Sequence, residues 1–250
     1  MERARTLSIR EFILDAAAAD PRSLARRVAT AYGISRQAAN RHLDLLVESG
    51  HLEQSGKTRA RVYRLRRTSS LTRELRVTPV LNPDRVWEDH VAPVLSADGA
   101  AVRDLCRGAF GELVRNAAEH AGASWITFSF SNNARDIDVT VSDDGAGFFT
   151  RMAGALGAST PRGAADRFAE LSNARATDSP GARLALLGRN FHTFQIWSGP
   201  AQLRFDREAD HWSAADAAEP RPGTTVAFRL RRGAAAASRA TRAEATVGAR

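Results

Sequence analysis

Along the first fifty residues the apolar positions recur at intervals of three and four, the period of an amphipathic helix. Leu7 to Ala19 reads as one helix, with Ile9, Phe12, Ile13 and Ala16 on a common face, and Asp20-Pro21 ends it. Ser23 stands where it would cap a second helix, Leu24 to Ala31, which buries Leu24, Val28 and Ala31. Tyr32-Gly33-Ile34-Ser35 predicts a tight turn, Gly33 supplying left-handed backbone and Ser35 capping the next helix. That third helix, Arg36 to Ser49, buries Ala39, Leu43, Leu46 and Val47 and stops at Gly50. The period then shortens to two. His51-Leu52-Glu53-Gln54 and Arg61-Val62-Tyr63-Arg64-Leu65 flank a turn at Ser55-Gly56-Lys57 and predict a β-hairpin.

A polar stretch, residues 67–84, ends in Thr78-Pro79 and Asn82-Pro83 and reads as a linker. Beyond it, Arg85 to Leu95 predicts a short helix and Arg103 to Ala121 a longer one. The longer helix gathers Cys106, Phe110, Leu113, Val114, Ala117 and Ala121 on one arc. Glu112, Asn116 and Glu119 fall in a narrow band on the far side, with His120 at its margin. Ser124 to Ser131 and Asp136 to Ser142 then alternate, predicting an antiparallel pair with one covered face. The second strand runs directly into Asp143-Asp144-Gly145-Ala146-Gly147-Phe148. Residues 233–250, rich in Ala, Arg and Thr, are expected to form a disordered tail.

Charge changes the picture in the first quarter. Residues 1–67 carry 14 Lys and Arg against 7 Asp and Glu, so +7 of the chain's net +8 sits there. A concentrated excess of that kind points to a nucleic-acid contact. Helix, glycine turn, helix is the helix-turn-helix arrangement, whose later helix enters the major groove. Ser35, Arg36, Gln37, Asn40 and Arg41 are exposed at its start, and Arg, Gln and Asn are the side chains that pair with base edges. Lys57, Arg59 and Arg61 on the hairpin are expected near phosphates or a minor groove. The segment SRQAANRHLDLLVESGHLE…TRARVYRL resembles the winged-helix regulators of the ArsR and MarR type. The resemblance implies a winged helix-turn-helix over residues 1–66 and double-stranded DNA as partner. Gly50, Gly56, Lys57 and Thr58 approach a P-loop, but five residues rather than four separate the glycines and they lie in a hairpin.

The other half offers nucleotide chemistry. A carboxylate and an amide one helical turn apart suit a hydrated divalent cation, which takes oxygen ligands and keeps its waters. Two glycines after a strand permit close backbone approach, and a carboxylate at the strand end can accept from an exocyclic amine. FGELVRNAAEHA followed by VTVSDDGAGF resembles the first two motif boxes of the GHKL ATPases, the superfamily of gyrase, heat-shock chaperones, histidine kinases and mismatch-repair ATPases. Gly223-Thr224-Thr225-Val226-Ala227-Phe228-Arg229-Leu230 resembles the strand that closes that fold.

The resemblance implies an α+β chain whose second domain, residues 85–232, is a two-layer α/β sandwich of the GHKL (Bergerat) type, a mixed sheet with helices on one face. It implies ATP and Mg²⁺ as cofactors. Asn116 would coordinate the metal, Glu112 would be the general base where hydrolysis occurs, and Asp143, helped by Thr224, would accept from the adenine amine. Gly145 and Gly147 would make room for the nucleotide. A flexible lid is expected over Arg151 to Pro180. Gly181, in Gly-Ala-Arg-Leu-Ala-Leu, is the counterpart of a second glycine box in which the family carries more glycines, and its amides would attract phosphate. His90, in VWEDHVAP, lacks the helical surroundings of a phospho-accepting histidine.

The functional expectation is an ATP-binding transcriptional regulator, acting as a homodimer on a two-fold site. Two alternatives stand beside it: a serine kinase of the anti-sigma kind acting on a partner protein, and a DNA-binding protein whose nucleotide fold is degenerate. A single cysteine, Cys106, excludes an intrachain disulfide, and no apolar run approaches the roughly 20 residues of a membrane span. The N-terminus shows no signal peptide, so a cytoplasmic protein is expected.

Overall fold

Three helices form where the three-and-four spacing falls. A computed structural model describes residues 2–57 and 61–232. Helix α1 spans Glu2–Ala19, α2 Leu24–Tyr32 and α3 Arg36–Glu48. Ile9, Ile13, Ala16, Leu24, Val28, Ala39, Leu43 and Leu46 close one core, which also takes Leu52 and Tyr63 from an antiparallel hairpin, β1 (Leu52–Ser55) and β2 (Val62–Leu65). Gly33 adopts the left-handed conformation that ends α2, its amide donating to the carbonyl of Ala29. Ser35 caps α3 by accepting from the amide of Ala38. Ser23 does not cap α2: it is itself left-handed, at φ 54°, and its side chain makes no capping bond. Asp20 takes up that corner instead, accepting from the amide of Arg22. Ala31 is exposed rather than buried: it lies on the apolar stripe, but in the last turn of α2, one residue before the helix ends at Tyr32.

Strand β3, Arg67–Arg76, corrects the reading of 67–84 as linker. It is the edge of a five-stranded sheet of order β3-β4-β5-β7-β6, with β4 Trp125–Asn133, β5 Asp136–Asp143, β6 Thr193–Asp206 and β7 His211–Arg231. Leu71 and Leu75 pack on the core while the rest of β3 is mostly exposed and polar, which is how an edge strand looks in sequence. The expected mixed sheet is not found, because every pairing is antiparallel. The amide of Val77 meets the carbonyl of Ser124 just beyond the end of β3, and Asp144 that of Trp125 beyond the end of β5. Asp138 meets Arg229 and Ser142 meets Thr225 across β5 and β7, and β6 pairs antiparallel with β7. The fold class is α+β.

Chain packing separates two compact units. One runs through Ser69 and includes Asn132–Asp136; the other takes Ser70–Ser131 and the chain from Ile137 onward. In the second unit, short helix α4 (Pro83–Val86) and a π-helical turn (Trp87–Val91) precede α5 (Ala100–Arg115), which passes into a second π-helical turn at Asn116–His120. The face of α5 predicted as apolar is buried: Cys106, Phe110, Leu113 and Val114 pack with Ile126, Phe128 and Phe130 of β4. Cys106 is fully buried and its thiol is pushed up to about 12 by desolvation.

The stretch expected as a lid takes in the end of α6 (Phe148–Met152) and all of α7 (Pro161–Asn173), and α8 follows at Ala182–Gly188. Phe168 of α7 is 1% exposed, and Asn173 at its end bonds both backbone groups of Trp212 in β7. Helix α7, within that stretch, is therefore docked on the sheet. Residues 233–250 lie outside the described residues, and among those described no helix is long and apolar enough to cross a membrane.

Candidate functional site

Glu112, in the last turn of α5, and Asn116, opening the π-helical turn, stand one turn apart and form one wall of a cavity. The sheet supplies the floor. Val141, Ile196 and Val226 lie on its buried face, and Asp143 and Thr224, each two residues along its own strand, share that face by the period-two alternation. Residues 177–179 and the start of α8 supply a further wall. The cavity measures about 520 Å³. Five of the seven residues expected to hold a nucleotide line it: Glu112, Asn116, Asp143, Gly181 and Thr224.

Gly145 and Gly147 are not among the residues that line the cavity. A Cβ on Gly145 would collide with the carbonyl of Ala121, and one on Gly147 would come within 2.8 Å of the Ser198 hydroxyl. Both glycines fold the loop against protein: the amide of Ala146 bonds the carbonyl of Ala121, and Gly147 holds φ at 86°. Gly181, at φ 81°, packs against the ring of Phe168 in the same manner. Gly223, which the sequence marks only as the start of a strand, is the tightest of all, for its Cβ would strike the backbone of Asp143. Spacing alone does not distinguish a glycine that admits a ligand from one that admits another stretch of chain.

Two adjacent carboxylates meet different surroundings. Burial pushes Asp143 above the usual carboxylate range, against the amide of Gly145 at 2.9 Å and bonds from Thr224, which pull it down. Asp144 points outward and accepts from the amides of Trp125 and Ser124, at 2.9 and 2.7 Å, which hold it below that range. Thr224 accepts from the amide of Phe148 at 3.0 Å, tying β7 to the loop. Oε2 of Glu112 faces two guanidinium groups, Arg115 at 3.3 Å and Arg183 at 3.6 Å. Arg115 was not foreseen from sequence, although its place three residues after Glu112 is the signal that would have found it. Glu119 is exposed and does not line the cavity.

In the first unit, Arg36, Gln37 and Arg41 are exposed on the first turns of α3, and Asn40 is half-buried. The hydroxyl of Ser35 is engaged as the cap. Lys57 is exposed at the hairpin turn, and Arg59 lies outside the described residues. Arg61 is half-buried and donates to the hydroxyl of Tyr63 at 3.2 Å. Val62 forms a bridge with Arg22, and the amide of Tyr63 bonds Pro21, so the return strand lies beside the start of α2. Arg36, Asn40 and Arg61 therefore border one hollow of about 460 Å³ with Arg26, Ser23 and Tyr63. No family model matches the chain, and no curated protein matches it.

Proposed function

We propose that the chain is a DNA-binding regulator of transcription whose second unit binds ATP with Mg²⁺. In this reading the first unit is a winged helix-turn-helix and the second a GHKL-type sandwich. One observation carries the nucleotide half: Glu112, Asn116, Asp143, Gly181 and Thr224, drawn from α5 and the π-helical turn that follows it, two strands and a loop, line a single cavity. Its size falls in the range of small-molecule sites, roughly 300–1,000 Å³.

The residues present fit the nucleotide. Asp143 is a partly desolvated acceptor on an otherwise apolar floor, the chemistry that an adenine amine requires. Asn116 offers a carbonyl oxygen to Mg²⁺, whose other ligands would be phosphate oxygens and waters. Arg183 at the cavity wall supplies charge for the phosphates. Bound Mg²⁺ would neutralise charge on the phosphate chain. Glu112 pairs with Arg115 beside the cavity, and the nucleotide is read as an effector rather than a substrate.

The DNA half rests on the +7 excess over residues 1–67 and on the exposed Arg36, Gln37 and Arg41 at the start of α3. Two copies on a two-fold site complete the reading. Calorimetric titration of ATP and Mg²⁺ into the native chain and Asp143→Ala tests it. Heat from the native chain alone is expected, together with a change in duplex affinity when ATP is added. Silence from the native chain removes the reading.

A further inference from the structure

The hollow on the helical unit is an unusual place for three arginines. Arg26 comes from α2, Arg36 from α3 and Arg61 from the return strand of the hairpin, and no carboxylate is among the residues that line it. Arg61 buries its Nε atom without a hydrogen-bond partner, although it spends one other donor on Tyr63. A buried guanidinium nitrogen left unpaired costs free energy unless something accepts from it. Ser23 lines the same hollow and leaves the first turn of α2 without a side-chain acceptor. Three arginines, the Asn40 amide and a phenol lining one hollow suit a compact, many-oxygened anion.

Building on the DNA-binding reading, we infer that this hollow seats a single phosphate of the duplex backbone, held jointly by Arg26, Arg36 and Arg61. Arg36 and Asn40 then position the duplex and do not read its bases, which reverses the role that their place on α3 suggests from sequence. Guanidinium groups pair bidentately with phosphate oxygens, so three of them around one phosphate fix the register of the backbone tightly. Sequence is left to Gln37 and Arg41, which lie outside the hollow.

The salt dependence of binding to a mixed-sequence duplex, measured on the full chain by fluorescence anisotropy, counts the phosphates engaged. The triple variant R26A/R36A/R61A is expected to lower the slope of log K against log salt by about 0.9, the value of one phosphate. A loss of about 2.7 would mean three separate phosphates and overturn the inference. Base preferences selected from a randomised duplex pool are expected to be the same for Arg36→Ala as for the native chain. A preference lost at one base pair would assign Arg36 to readout instead. Arg26→Glu, at an exposed position, keeps the test sound if the triple variant unfolds. It should weaken binding evenly across sequences with an unchanged melting temperature, and duplex binding at native strength would refute the site. Inorganic phosphate titrated at constant ionic strength separates the sources: phosphate bound by a chain that binds no duplex would assign the hollow to a free anion and remove the DNA-binding reading as well. Duplex binding with the wrong slope sinks only the shared phosphate.

Discussion

A Cβ on Gly223 would fall on the backbone carbonyl of Asp143, so β7 can approach the cavity's acidic residue only where there is no side chain. The same glycine sits at φ 65°, a conformation that other residues adopt at a cost. Gly223→Ala is therefore expected to destabilise the second unit by about 3 kcal/mol, from overpacking and backbone strain together. Urea denaturation measures it. Gly154→Ala serves as control, since nothing lies within 4 Å of a Cβ there. Equal losses from the two would show that the close approach has no energetic weight.

Asp143 should make stability depend on pH in an uncommon sense. Its carboxyl is held above its ordinary value by burial, so the native state keeps a proton that the unfolded chain releases near pH 3.9. In the window from there up to the raised native value, stability falls as pH rises. Asp143→Asn removes that dependence and spares the burial of a charge, so it is expected to be more stable than the native chain at neutral pH. It should also bind ATP at least about tenfold more weakly, the loss of one good hydrogen bond to a charged acceptor. An Asn variant less stable at neutral pH would contradict the assignment.

Arg183 offers a contrast between stability and binding. Its side chain is 87% exposed, and exposed ion pairs contribute about 0–1 kcal/mol. Arg183→Ala should leave the melting temperature nearly unchanged while weakening ATP about tenfold, the typical weight of one charge-assisted contact, and sparing adenosine. Calorimetry with both ligands decides. Equal weakening of adenosine would place Arg183 on the base, not the phosphates.

Much of this architecture was legible because periodicity and burial agreed. The stripes of α1, α3 and α5 come from spacing alone, and the Glu112, Asn116 and Asp143 constellation converges as its order along the chain suggested. What escaped notice did so for physical reasons. Strand β3 exposes most of its side chains, so it reads as polar linker. The first half of β7 is largely exposed and contains Pro220 and Pro222, which conceal a strand of 21 residues. The resemblance implies a lid over Arg151 to Pro180, whereas the structure packs Phe168 and the alanines of α7 into the core. Arg26 has no signal in the sequence, because it shares a hollow with Arg61 only when the return strand comes beside α2.

Asn173 carries a purely structural prediction. It donates to the carbonyl of Trp212 at 2.9 Å and accepts from its amide at 2.8 Å, pinning α7 to a strand position whose side chain is wholly buried. Asn173→Ala is expected to cost about 2 kcal/mol by leaving both groups unpaired. Aspartate in its place should recover part of this loss, since one acceptor is retained. No recovery would mean that the bond donated to the Trp212 carbonyl, which aspartate cannot make, carries the loss.

Cys106 gives the chain a reporter of its own. It is the sole thiol, lies at zero exposure between α5 and the sheet, and stays protonated across the working pH range. A disulfide reagent can modify it only when that layer parts from the strands, so the labelling rate clocks the opening of the second unit without any engineered tag. Ligand in the neighbouring cavity, by holding the closed form, should slow that clock in proportion to how tightly it binds.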